Sequence, residues 1–220
     1  MDDKELVHGI VLKHRPVGDY DWIVTLLTAE RGKMTAFAKG ARKMNARLAG
    51  LVEPLCMGTF SLYQGRSSFT ISEAHIDFFF ETFRKDLEKS TYATFFLELA
   101  DYYNHENAEA KDFLNLLYMT LKALDAGIDQ LTPAYIRCVY EIRALVTDGS
   151  FPGADGCAAE LSVTRKALTY IASTPLQKLY SFLPPVEARD ELVFVTRRLR
   201  RRFMDYTPKS LEMLAMYESP

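Results

Sequence analysis

Seven basic side chains, Arg31, Lys33, Lys39, Arg42, Lys43, Arg47 and Arg66, fall in thirty-six consecutive residues that hold one acid, Glu53. Lys and Arg at this density are suited to phosphate, because each one that meets a phosphate releases condensed counterions. The same charges also suit a merely solvated loop. Phe37, Phe60, Tyr63 and Phe69 are interleaved with the cluster and could stack on bases, although strand aromatics more often fill a core. A second cluster, Arg197, Arg198, Arg200, Arg201 and Arg202, puts five arginines in six positions, with Lys209 shortly after. On a helix it leaves Leu192, Val195, Leu199 and Phe203 as the apolar stripe and turns three or four arginines to solvent. There they either pair with acids such as Glu98, Asp101 and Glu106, or stay free for an acidic peptide or a nucleic-acid backbone. Five arginines exceed what Glu191 and Asp205 can neutralise on the same helix, which favours the free surface.

Bond-making chemistry has no comparable support. There is no phosphate-cradling glycine loop of either common type, no His-Glu-x-x-His and no Gly-x-Ser-x-Gly. His8, His14, His75 and His105 do not recur at ligand spacing, and Cys56, Cys138 and Cys157 include no Cys-x-x-Cys pair. Glu106 and Glu109 read as a solvated helix face. No catalytic residue, cofactor or metal is expected.

The elements that must carry the first cluster are strands. Short apolar and β-branched runs at Val7–Lys13, Trp22–Thr28, Lys33–Lys39, Leu55–Tyr63 and Ser68–Ile76 are separated by turn residues. Gly32 and Gly65 stand where tight hairpins want a positive φ. The third and fourth runs are joined by Gly40–Pro54, a longer connection rich in Ala, Arg, Lys and Asn. Five short strands with one long connection predict a small closed barrel of the OB kind. After Phe80 the apolar period lengthens to about 3.6. Leu87, Thr91, Phe95, Phe96, Leu99, Tyr102 and Tyr103 share one helical face. A second helix, marked by Phe113 to Leu124, stops at Gly127, and a third is capped by Thr132-Pro133 and ended by Asp148-Gly149. A fourth is capped by Ser162 and runs to Ser173, and further helices are expected at Leu176–Leu183, Val186–Met204 and Pro208–Met216. Gly149–Gly156 reads as a loop. The fold class is α+β: residues 1–80 an OB-fold nucleic-acid-binding domain, residues 81–220 an α-helical domain.

Composition narrows the classes. The chain has 220 residues, 48% of them hydrophobic, enough for real cores without disulfide staples. The formal charge of −2 conceals a segregation: +1 over residues 1–80, −7 over 81–160 and +4 over 161–220. No apolar run is long enough to span a bilayer, and the opening Met-Asp-Asp-Lys-Glu is acidic where a signal peptide would be basic. Three scattered cysteines fit reduced thiols, so the expected compartment is the cytoplasm.

An ordered series of motifs resembles a known family. It runs Gly9-Ile10-Val11-Leu12, Thr25-Leu26-Leu27-Thr28, Arg31-Gly32-Lys33-Met34-Thr35-Ala36, Ala38-Lys39-Gly40-Ala41-Arg42 and Leu51-Val52-Glu53-Pro54. It continues through Leu62-Tyr63-Gln64-Gly65-Arg66 and Phe95-Phe96-Leu97-Glu98-Leu99, and closes with Pro208-Lys209-Ser210-Leu211. This order resembles the bacterial RecO DNA repair family, most densely over residues 9–100.

The resemblance implies an OB barrel followed by a helical domain, acting as a recombination mediator and strand annealer at the nucleoid. It implies binding to single-stranded and duplex DNA, association with RecR, contact with the acidic C-terminal tail of single-stranded DNA-binding protein, and help in loading RecA. On it, Lys39, Arg42, Lys43 and Arg47 lie on a DNA-binding loop, with Arg31, Lys33 and Arg66 at adjoining turns. One departure is plain: where many members carry a four-cysteine zinc insert, Gly149–Ser162 holds Cys157 alone. An adaptor whose basic surfaces bind acidic peptides rather than nucleic acid is the alternative.

Overall fold

Alternation of inward apolar and outward polar residues is cleanest along Gly32–Ala38, where Met34, Ala36 and Ala38 are buried while Lys33, Thr35 and Phe37 are not. Such a strand must close against others, and it does. In a computed structural model describing residues 4–66 and 68–218, β1 (Lys4–Val17), β2 (Asp21–Thr28), β3 (Gly32–Ala38), β4 (Met57–Gln64) and β5 (Phe69–Phe78) form a closed barrel in the order β1-β2-β3-β5-β4. The ends of the two expected domains, 1–3 and 219–220, lie outside the described residues. All neighbours are antiparallel except β3 and β5, which run parallel through Ala36↔Phe69 and Phe37↔Thr70. This is the five-stranded OB arrangement the run pattern predicts.

The first strand is longer than expected because it pairs on both edges, with β4 from Lys4 and with β2 up to Val17, shifting register between Val11 and Lys13. Gly9 and Gly58 face each other across that pair. A Cβ on Gly58 would stand 2.0 Å from the His75 carbonyl oxygen, and one on Gly9 2.4 Å from that of Leu27. Only glycine lets the strands approach so closely. Gly32 takes the expected positive φ, 66°. Gly65 does not; its turn is closed instead by the Gly65 N–H donating to the Ser68 carbonyl at 2.8 Å.

The helices are α1 (Leu87–Tyr103), α2 (Lys111–Ala126), α3 (Pro133–Asp148), α4 (Ser162–Ser173), α5 (Val186–Phe203) and α6 (Leu211–Tyr217). Thr132 caps α3, its hydroxyl accepting from the Tyr135 N–H, and Gly149 ends it at φ 81°. Three expectations need correction. Ser162 is the first residue of α4 rather than its cap; the Glu191 carboxylate of α5 accepts the N–H groups of Glu160 and Leu161 there, so a borrowed side chain replaces the local one. Leu176–Leu183 forms only the short turn Leu176–Lys178, because Pro175 and Pro184 bound a segment too short to offset helix nucleation. Leu87 is 66% exposed rather than inward, whereas Tyr92, Phe95, Phe96 and Leu99 are buried.

The chain divides into two compact units, Met1–Glu81 with Leu97–Leu114, and Thr82–Phe96 with Asn115–Pro220. The first is the barrel with the end of α1 and the start of α2. Its Lys33 N–H donates to the His105 carbonyl and Asn107 N–H to that of Arg31. In the second, α3 is central: Ile136, Cys138, Val139, Tyr140 and Ile142 are all buried. Tyr140 donates to the Phe96 carbonyl, and Arg143 to those of Ile171 and Ala172 at the end of α4. Among the described residues no helix is long and apolar enough to cross a membrane.

Candidate nucleic-acid interface

The connection from Lys39 to Cys56 is a chain of single turns, Lys43 N–H to Gly40 O, Ala46 to Lys43, Ala49 to Ala46 and Leu51 to Leu48. Its small and apolar residues explain why it is ordered. Ala41, Leu48, Val52 and Cys56 are buried in the same core cluster as Val7, Val24, Met34 and Phe60 of the barrel. The loop is thus pinned by its apolar half and presents its polar half outward, with Lys39, Arg42, Lys43 and Arg47 all exposed. At its start the Gly40 N–H donates to Asp21 Oδ1 at 2.6 Å and the Arg42 N–H to the Tyr20 carbonyl at 2.9 Å. The Arg42 guanidinium stands 5.1 Å from the Trp22 ring centroid, and Lys43 Nζ 5.2 Å from that of Tyr20.

A second element is a groove of about 570 Å³ on the outer face of the barrel, lined by Arg15, Ile23, Lys33, Phe37, Arg66 and Phe69 among others. Strand register assembles it: Arg15 pairs with Ile23, Ile23 with Phe37, and Phe37 with Thr70, next to Phe69. Arg66 enters from the turn between β4 and β5. The face of β2 and β3 together with the β4–β5 turn is where OB barrels commonly hold oligonucleotides.

The seven basic residues of the first cluster therefore do not all stand alike. Lys39, Arg42 and Lys43 are outward on the loop and Arg66 is exposed at the groove. Lys33 reaches the groove but is tied to Asp101, 3.3 Å from Oδ1 and donating to its carbonyl at 2.7 Å. Arg31 Nε donates to Glu5 Oε1 at 2.6 Å. Arg47 pairs with Glu73 at 2.6 Å, and Lys4 with the same carboxylate at 3.1 Å. Hydrogen bonds and charge from Lys4 and Arg47 hold the Glu73 carboxyl below its usual range. Of the four aromatics, Phe60 is fully buried, Phe37 and Phe69 line the groove, and Tyr63 is 38% exposed. Arg15 lies outside the cluster that begins at Arg31, so the charge density of that cluster does not point to it. The clue was β1 alternation, which sets Lys13 and Arg15 on one face.

In the helical unit the arginine run divides. Leu192, Val195 and Leu199 are buried as the periodicity predicts. Arg200 donates to Glu141 Oε2 at 2.7 Å, and Glu141 Oε1 accepts from the buried Arg137 at 2.6 Å. Arg137 also meets Glu218, Nη2 to Oε2 at 2.9 Å and Nε 2.7 Å from Oε1. Burial alone would favour neutral Arg137, but the two carboxylates outweigh it and hold the guanidinium charged. Arg198 donates to the Ala158 carbonyl at 2.8 Å, and Arg202 lies over Phe203. Glu141 thus meets the run through Arg200, and, against burial, hydrogen bonds and the charge of Arg198 hold the Glu191 carboxyl below its usual range, whereas Asp101 serves Lys13 and Lys33. Arg197 and Arg201 remain exposed and, with Met204, Tyr206, Pro208 and Leu211, line a cleft of about 490 Å³. Lys209 is exposed nearby in sequence.

Cys157 is buried, its Sγ donating to the Gly153 carbonyl, and burial pushes its thiol up to about 11. Among the described residues no group of three or more His, Cys, Asp or Glu side chains is placed to hold a metal.

Comparison with known proteins adds to this geometry. Residues 1–79 match the family model described as recombination protein O, N terminal, and residues 84–164 the one described as recombination protein O, C terminal. The chain is similar to the DNA repair protein RecO of Clostridium perfringens, 30% identical over 94% of this chain and 95% of the relative. It is likewise similar to the protein of that name from Acetivibrio thermocellus, 28% identical over 94% of each. The one from Desulfosudis oleivorans is 34% identical over 68% of this chain and 58% of its own.

Proposed function

The chain belongs to the RecO family of DNA repair and recombination proteins, and from that premise we propose that it works as a non-enzymatic mediator that binds DNA through the barrel and anneals single strands. The observation that carries this is the pairing, on one barrel, of exposed loop cations with a groove lined by Arg15, Arg66, Phe37 and Phe69. Cations hold a backbone of any sequence, and aromatic faces hold bases of any sequence, which is what a mediator acting on any gap requires. Residues 1–80 are read as the DNA-binding domain and 81–220 as the helical domain that meets proteins.

The partners follow from the family: RecR, the acidic tail of single-stranded DNA-binding protein, and RecA, whose loading at coated gaps in the nucleoid would be the outcome. The α5–α6 cleft supports the acidic-tail part, since Arg197 and Arg201 stand beside Met204, Tyr206 and Leu211 in a lining where Arg137 and Arg200 add cations and Glu218 is the one acid. The test is annealing of complementary oligonucleotides coated with single-stranded DNA-binding protein. The protein is expected to accelerate it many-fold over the uncatalysed rate, and a version of the coating protein lacking its acidic tail should abolish the acceleration. Annealing no faster than without protein contradicts the proposal.

A further inference from the structure

We propose that Tyr20 and Trp22 form a base-stacking step for single-stranded nucleic acid, covered at rest by Lys43 and Arg42, which move from the rings to phosphates when a strand binds. This rests on the nucleic-acid reading above and gives it residues outside the groove. Trp22 is the single tryptophan of the chain. The His14 imidazole stacks on it, centroids 3.9 Å apart and planes 5° from parallel. His14 is a fixed backing: its side chain is 18% exposed, Nδ1 lies 3.2 Å from the Val52 carbonyl oxygen and Nε2 3.8 Å from Glu53.

Arg42 is held much less firmly. It is exposed and has, besides the ring, one 3.3 Å hydrogen bond to the Gly18 carbonyl. Tyr20 is 54% exposed with Lys43 over it. The backbone beneath is fixed by the Gly40–Asp21 and Arg42–Tyr20 hydrogen bonds, so the two side chains can leave without the loop moving. Trp22 is half-buried, packed against the barrel core, so it offers one outer face; a cation over a ring face that water reaches is a weak contact, and a charge-assisted bond to phosphate is stronger. Once the cations go, two ring faces become open, two residues apart. A duplex keeps its base faces stacked on one another, and an acidic peptide offers carboxylates without base faces; a single strand supplies both phosphates and faces.

Emission from Trp22 reads this site directly. Titrating the full chain with oligothymidylate is expected to quench it, with the same midpoint as the anisotropy rise of a labelled copy of that oligonucleotide. An abasic strand of equal length should bind several-fold more weakly and leave the emission near its starting value. Tyr20→Ala, at an exposed turn, should bind oligothymidylate about ten-fold more weakly and the abasic strand as the parent does. Rising anisotropy with unchanged Trp22 emission, or Tyr20→Ala binding oligothymidylate as the parent does, overturns the stacking step alone. No anisotropy rise with any strand overturns the nucleic-acid reading and the step with it.

Discussion

At the scale of single residues, what a side chain can do depends on what already holds it. Arg31, Lys33 and Arg47 have the charge of a phosphate ligand, yet each is matched to Glu5, Asp101 or Glu73. Arg15 and Arg66 line the groove. Replacing both with alanine is expected to weaken single-strand binding and to lower the slope of log affinity against log salt by about 0.7 for each phosphate left unneutralised. Arg31→Ala should change that slope little, and salt titrations of the two variants decide between them. The thiols give an independent check on burial. Cys138 is enclosed, and burial raises its thiol from 9.0 to about 11. Below pH 9 it is protonated whether the chain is folded or not. Above that, the unfolded chain releases a proton the folded one keeps, so this contribution to stability is full below about pH 9 and fades as pH rises through about 11. Denaturant midpoints measured from pH 8 to 11 should fall over that window, and Cys138→Ser should fall less steeply.

Elements decide which residues can act together. The connection between β3 and β4 reads in the sequence as a polar loop, and its outward half is one. Its inward half was not legible, because Ala41, Leu48, Val52 and Cys56 are too sparse to show a period, and their burial depends on the barrel they complete. Leu48→Ala should therefore destabilise the first unit by about 2–5 kcal/mol, as in a true core, and loosen the loop cations; thermal unfolding measures the former. Strands and most helices were legible from alternation and periodicity, since those patterns are local. Arg15 was not found from charge density, because its place beside Phe37 arises from pairing across three strands. The network Arg200–Glu141–Arg137–Glu218 was only partly open to a local reading: Arg137 and Glu141 stand i,i+4 on α3, but Arg200 of α5 and Glu218, just past α6, reach them only through tertiary packing. Glu141→Ala strips buried Arg137 of one partner, for which a loss of about 3–5 kcal/mol is expected. A melting transition unchanged by that substitution would show the network to be dispensable.

For the whole molecule, a net charge of −2 gives no general attraction to a polyanion, so any attraction must come from patches. The cations of the barrel loop and groove are one patch, and Arg197 with Arg201 at the helical cleft is another. Charge reversal at Arg197 and Arg201 should weaken binding of an acidic, apolar-ended peptide while sparing single-stranded DNA, if the two patches serve separate ligands; anisotropy with each labelled ligand reads this. The central claim is that the barrel holds DNA by its phosphates, and the most direct measurement is anisotropy of a labelled single strand across a series of salt concentrations. For the parent protein we expect a log–log line with a slope of several negative units. Changing Lys39, Arg42 and Lys43 to alanine should make it shallower by about 0.7 for each phosphate that those side chains neutralise. A slope near zero, or one the triple substitution leaves unchanged, would contradict the claim.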